Sequence, residues 1–357
     1  MKTYIKFLIN LFNISLLKIF IVFFIIILIT NILEQIEFFK NIDLSFSYLF
    51  FLSLLNTPSV LFEILPFVFL LSTQLFFINL IDKNELQVFK YTGLDNIKII
   101  KILGLYSFIL GFVVVIFFYN GSSILKNSYL LIKNNYSDDN KYLAVITENG
   151  LWIKDEINEN INIINASKVN NEFLLNVAIT RFNKNFNIIE ILQSEKVDIT
   201  SKKWKIFNPI ILKGNSQSPL DELVLQSNFD LQKINGLFSN LSSLSIIDLI
   251  TLRKSYISLN YSVTDINSHL LKIVSYPVYL TLITIFSGII MFNIGYQKNT
   301  FFNITLGIFL SVIIYYINNF FSALGTNEKI PLTLSIFLPL IILLIINFIS
   351  IIKLNEK

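Results

Sequence analysis

Apolar residues fall in long blocks toward both ends of this chain, and in short alternating runs through its middle. A helix that crosses a bilayer needs about 20 mostly apolar residues. Five blocks meet that length plainly: Ile14–Leu33, Ile64–Ile81, Ile102–Tyr119, Leu270–Asn293 and Thr300–Asn318. A sixth, Pro331–Ile352, opens on a proline, which a helix accepts in its first turn. The stretch from Leu44 to Ile81 is too long for one crossing, and Asn56, Pro58 and Glu63 interrupt it. Ser47–Leu61 is therefore expected to be a separate interfacial or outer-leaflet helix leading into the second span.

Between the third and fourth blocks the period changes from helical to alternating. In "KKWKIFNPIILKG", Trp204, Ile206, Ile210 and Leu212 occupy alternate positions, the mark of a half-buried strand. "FLLNVAITRFNKNFNIIEILQSEKVDI" reads as strand, turn at Asn183–Asn185, strand. "AVITENGLWIKD" reads as a hairpin turning at Asn149-Gly150, a strong two-residue turn signal. These runs predict six to nine strands in a sandwich or jellyroll-like domain, followed by a helix over Ser245–Ser255. The expected organisation is residues 1–120 with three spans, 121–268 as a β-domain, and 269–357 with three more spans.

Charge fixes the expected orientation. With six spans and the N-terminus inside, the inner segments hold Lys2, Lys6, Lys83, Lys90, Lys98, Lys101, Lys298, Lys353 and Lys357, against Lys40 and Lys329 in the short outer ones. Lysine excess marks the cytoplasmic side, so both termini are expected there. A further full span at Ser47–Leu61 would reverse the bias. The β-domain carries 15 basic and 15 acidic residues, and this neutrality argues against nucleic-acid binding.

Composition removes several chemistries. Charged residues make up 15% of the 357, where a soluble protein has about a quarter. There is no cysteine and one histidine, His269, so thiolate chemistry, disulfides and His-based metal clusters find no ligand set. No GxxxxGK[ST] run is present to cradle a nucleotide. No catalytic or metal residue is assigned, and the chain is expected not to be an enzyme.

The most charged short run of the first third is "DKNELQVFKYTGLDNIK", between the second and third spans. Asn84 suits a helix N-cap, Glu85 the positive end of the helix, and Gly93 its C-terminal stop. On that helix Glu85, Leu86, Val88, Phe89 and Thr92 share one face, and Asn84, Gln87, Lys90 and Tyr91 the other. Two turns are not stable alone in water, so the apolar face must bury against lipid, the bundle or a partner. An interfacial helix and a docking helix both satisfy this.

"NELQVFKYTGLDNIKI" after the second span resembles the cytoplasmic loop of the lipopolysaccharide-export permeases, the LptF/LptG family. "NGLWIKD" (Asn149–Asp155) resembles the start of that family's outer domain, its leucine-tryptophan form being more like the G subunit. "VDITSKKWKI" (Val197–Ile206) resembles a strand pair of the same domain. The order of these motifs extends the resemblance over the whole chain. It implies a membrane α-helical bundle of six transmembrane helices with an inserted all-β periplasmic jellyroll-like domain, in the bacterial inner membrane. It implies a G-type permease subunit that pairs with an LptF-type subunit and binds a dimer of the cytoplasmic ATPase LptB. That ATPase carries the ATP and Mg; no cofactor is expected on this chain. The pair would extract lipopolysaccharide and pass it to the periplasmic bridge of LptC with LptA. Asn84, Glu85, Leu86, Val88, Phe89, Thr92 and Gly93 would form the ATPase-coupling helix, and the outer parts of spans one, two and five would line the lipid cavity.

The charged residues at the outer rim are Glu34, Glu37, Lys40, Glu63 and Lys272. Each is a candidate substrate contact, lysine suiting a phosphate as a compact point charge, and each is equally readable as ordinary interface snorkelling. Where the family is often basic at the outer end of the first span, this chain has Glu34. Pro277, Gly288, Gly295 and Gly307 fit close helix packing or sites of bending. Two other readings stay open: a non-transport scaffold or mechanotransmitting permease-like protein with a ligand-binding β-domain, and a membrane-embedded enzyme. ATPase capture through Glu85–Gly93 separates a scaffold from a transporter, and lipid extraction in proteoliposomes separates the mechanotransmitter.

Overall fold

The computed structural model describes residues 3–42, 44–134, 136, 151–157, 160–170, 172–214, 216–231, 234, 240–258, 262–293 and 300–355. The chain divides into two compact units, Met1–Lys126 with Thr264–Lys357, and Asn127–Val263. These limits lie a few residues inside the expected 121–268, because the helices of spans three and four run on past their apolar cores.

The first unit is helical. α1 covers Thr3–Phe38, α2 Phe46–Asp82 and α3 Glu85–Tyr91. α4 (Asn96–Val113) continues through a π-helical turn, Val114–Tyr119, into α5 (Asn120–Asn134), of which the part up to Lys126 belongs to this unit. α7 (Thr264–Asn293), α8 (Thr300–Thr326) and α9 (Leu332–Asn355) complete it, α6 (Ile246–Ser258) belonging to the other unit. Six of these helical stretches are long and apolar enough to cross a membrane, at the six expected places.

The separate helix expected at Ser47–Leu61 is not formed. α2 runs unbroken through Pro58 and Pro66, and Leu52, Ser53, Asn56, Thr57 and Leu61 are buried. Polar contacts explain why this part enters the bundle and does not lie on a surface. Asn31 Nδ2 donates to Thr57 Oγ1 at 3.0 Å, and Asn56 Nδ2 to Asn31 Oδ1 at 3.2 Å, pairing α1 with α2. A proline within a spanning helix is tolerated where neighbours satisfy the carbonyl it frees. Pro66 cannot donate to Phe62 O, and Tyr276 Oη of α7 takes that carbonyl at 2.5 Å.

Glycines set the closest helix approaches. A Cβ on Gly111 of α4 would stand 2.6 Å from Pro277 Cα of α7, and one on Gly288 3.1 Å from a ring carbon of Phe77. Gly307 of α8 packs directly on the Gln74 amide of α2. Of the glycines singled out in the sequence, Gly295 lies outside the described residues.

The second unit holds one antiparallel sheet of eight strands among the described residues, in the order β1-β2-β3-β4-β5-β8, with β6 pairing β4 and β7. The strands are β1 Leu151–Ile157, β2 Asn160–Asn170, β3 Phe173–Phe182, β4 Ile188–Asp198, β5 Lys203–Phe207, β6 Ile210–Lys213, β7 Ser216–Pro219 and β8 Glu222–Gln226. Leu151, Ile153, Ile164, Val177, Ile179, Leu192 and Trp204 fill its buried face. The turn between β3 and β4 sits where Asn183–Asn185 predicted it, with Asn183 Oδ1 accepting from the backbone N–H groups of Asn185 and Asn187. The turn predicted at Asn149-Gly150 lies outside the described residues.

One alternating run breaks phase. Trp204 and Ile206 are buried on β5, but Asn208, at φ 46°, and Pro209 end that strand. After the break Ile211, and not Ile210 or Leu212, packs against the core. A one-residue shift reverses which face a side chain takes.

Candidate functional site: a short helix at one end of the spans and a charged cluster at the other

α3 is made by two left-handed residues. Asn84, at φ 57°, turns the chain out of α2, its N–H donating to Ile81 O at 2.9 Å. It makes no side-chain capping bond, so it acts as the turn residue and not as the expected cap. Asn tolerates this backbone region better than most residues. At the other end Gly93 N donates to Lys90 O at 3.1 Å and Leu94 N to Phe89 O at 3.0 Å, with Gly93 at φ 79°. This pair of bonds is a Schellman stop. Lys98 Nζ then donates to Gly93 O at 3.1 Å.

The faces of α3 differ from the expected partition. Leu86 is buried with the bundle core, and Phe89 packs on Phe7 of α1 with ring centroids 5.9 Å apart. Glu85 is half-buried, and its Oε2 is shielded without a hydrogen-bond partner. Val88 and Thr92 point outward with Gln87 and Lys90, Val88 at 59% exposure and Tyr91 at 88%. The helix thus grips its own bundle through Leu86 and Phe89 and presents Val88 and Tyr91 to whatever lies outside.

Glu63 lies 19 residues before the end of α2, about 28 Å along the helix and close to the thickness of a hydrocarbon core. Around it gather Lys126 of α5 and Lys272 of α7, both coupled to its charge. His269 feels both lysines, and its Nε2 shares a hydrogen bond of 2.9 Å with Tyr119 Oη at the last residue of the π-helical turn. Phe62 stacks on Tyr276 at 4.5 Å and tilts against Tyr119 at 5.1 Å, which fixes the backbone next to Glu63. Among the described residues the cluster thus brings two lysines to one carboxylate, a grouping that can receive an anionic group. Of the five rim residues chosen from sequence, Glu63 and Lys272 lie within reach of each other's charge. Glu34, Glu37 and Lys40 are exposed, from one to about three turns past Asn31 at the end of α1.

The family profile described as lipopolysaccharide export system permease LptF/LptG matches residues 6–353. The chain belongs to the LptF/LptG permease family. No individually curated protein matches it. It is therefore a multi-pass membrane protein of a lipopolysaccharide export permease family, and the six spans with a β-sheet inserted between the third and fourth are that family member's architecture here.

Sequence reasoning missed Lys126, Tyr119 and Tyr276. Lys126 was assigned to the β-domain, because nothing in its neighbourhood marks where the third helix leaves the bilayer. A signal for Tyr276 exists: Pro66 frees a carbonyl four residues earlier, and a buried partner must then supply a donor.

Proposed function

We propose that this chain is a G-type permease subunit of an ATP-driven lipopolysaccharide exporter of the bacterial inner membrane, with both termini in the cytoplasm and the β unit in the periplasm. It pairs with an LptF-type subunit, is driven by an LptB dimer that binds ATP and Mg, and hands lipid to the periplasmic jellyroll bridge of LptC and LptA. The observation that carries this reading is α3, a helix joined to the bundle core on one side and exposing Val88 and Tyr91 on the other. Such an element transmits a push from a soluble partner into α1, α2 and α4 without chemistry of its own. The Leu151–Trp152 pair favours the G type. At the opposite end, Lys126 and Lys272 meet the anionic groups of the lipid, each drawn also to the Glu63 carboxylate.

Co-purification in mild detergent tests the coupling. Val88→Asp and Tyr91→Ala alter only the outward face and should each lower ATPase recovery by at least about tenfold, a loss of roughly 1.4 kcal/mol. Phe89→Ala should weaken it less, by loosening α3 from Phe7. Full ATPase capture and activity in both outward-face variants would end the coupling reading, as would labelling that places Lys90 outside the cell membrane. Lipid extraction from proteoliposomes then separates a transporter from a mechanotransmitter that moves no lipid.

A further inference from the structure

An open hollow of about 500 Å³ lies at the end of the bundle where α8 connects to α9. Its volume falls within the ordinary range of small-ligand sites, about 300–1,000 Å³. One wall is the connection itself, with Glu328 and Lys329 beside the apolar Ile330, Pro331 and Leu332; the other is the first turn of α7, with Thr264 and Asn267. The connection between two spanning helices sits at headgroup depth, so the hollow opens where lipid headgroups are. It is remote in sequence from α3 and uses none of the residues of the Glu63 cluster.

The backbone of this connection is unusual. α8 ends in a Schellman stop, Glu328 N donating to Gly325 O at 3.1 Å and Lys329 N to Leu324 O at 3.0 Å. Its left-handed position, which favours glycine, holds Glu328 at φ 58°. A carboxylate is therefore fixed at the mouth of the hollow at a conformational cost, next in sequence to an ammonium group, and both side chains are exposed.

We infer that this hollow binds the phosphoethanolamine headgroup of a membrane lipid, Lys329 pairing with the phosphate and Glu328 with the primary ammonium. The two charges of the headgroup match the two of the wall, and the apolar residues below them suit the glycerol and upper acyl carbons. Charge-assisted hydrogen bonds of both kinds are short and strong. Choline offers no N–H to the carboxylate and is held by aromatic cages, and among the described residues no aromatic side chain lines this hollow. A purely anionic headgroup would meet Glu328 without compensation.

Native mass spectrometry on the delipidated full-length protein, titrated separately with phosphatidylethanolamine, phosphatidylcholine and phosphatidylglycerol, tests this. The wild type should retain phosphatidylethanolamine about tenfold better than either other lipid. Glu328→Gln should erase the preference over phosphatidylcholine, and Lys329→Gln should lower retention of all three. Glu328→Gly separates binding from backbone effects: it should lose the preference while its melting temperature stays level or rises. A parallel titration with phosphoethanolamine-bearing lipid A tells which lipid carries the headgroup. Equal retention of the three phospholipids by the wild type, selective retention of phosphatidylglycerol, or a preference that survives Glu328→Gln and Glu328→Gly overturns the assignment.

Discussion

In the β unit, Trp204 and Phe229 are wholly buried, and the strand positions flanking Trp204 carry the exposed Lys203 and Lys205. In the membrane unit the arrangement is close to inverted. α1 exposes Leu17, Ile21, Ile25, Ile29 and Leu33, whereas α2 fully buries Ser53, Thr57, Ser72, Thr73 and Gln74. The share of the most apolar stretch that is buried is 72% in α2 and 11% in α1, although α1 is the more apolar of the two. Lipid tails are as apolar as leucine, so burial in the bundle is driven by close packing and by polar groups that need partners. In the β unit, water makes apolar burial the driving force. Asp155 shows the price of a buried charge there: its two oxygens accept from Ser227 Oγ, Asn228 N and Asn228 Nδ2.

Five substitutions, followed by thermal unfolding and protease resistance of the full chain in detergent, sharpen or break this contrast. Trp204→Ala should be the most damaging. It removes the largest buried side chain of the β unit and the bond from Nε1 to Phe229 O, with an expected loss of about 3–5 kcal/mol. A loss under about 1 kcal/mol would mean that the sheet's buried face is not a packed core. Gly111→Val comes next. Its Cβ would meet Pro277 backbone, which cannot give way as a side-chain tip can, so overpacking should cost about 1–3 kcal/mol. At Gly307→Ala the nearest atoms are those of the Gln74 side-chain amide, the end of a flexible side chain, and the cost should be less. Asn31→Leu makes α1 more apolar yet should loosen its pairing with α2. Loss of the Thr57 and Asn56 bonds is worth about 0.6–1.7 kcal/mol on the scale of membrane hydrogen bonds. Stabilisation by this change would refute the polar pairing. The smallest effect is expected for Ile29→Ala on the exposed face of α1, within about 0.5 kcal/mol.

The six spans were legible because length and apolarity are properties of a single segment. The turn at Asn183–Asn185 and the helix after Ser245 were legible for the same reason. Ser47–Leu61 was misread because its fate depended on Asn31, a residue 25 positions from Asn56 that no local pattern connects to it. On α3 the position was legible and the face was not, since Phe7 and the two left-handed ends chose which side turned inward. Of the charged cluster, Glu63 and Lys272 were visible as charges in apolar surroundings. Lys126 and the Tyr119–His269 bond became visible only once α5 and α7 were placed side by side.

The sequence by itself determined the number of segments long and apolar enough to cross a bilayer, where the chain turns to strand, and that it holds no cysteine, histidine cluster or P-loop run, because each follows from residues adjacent in the chain. Tertiary structure alone decided which span is central and which peripheral, that Tyr276 answers the carbonyl freed by Pro66, and which side of α3 is left exposed. Those outcomes depend on which distant polar group and which glycine meet across a helix crossing, and hydropathy carries no record of a partner.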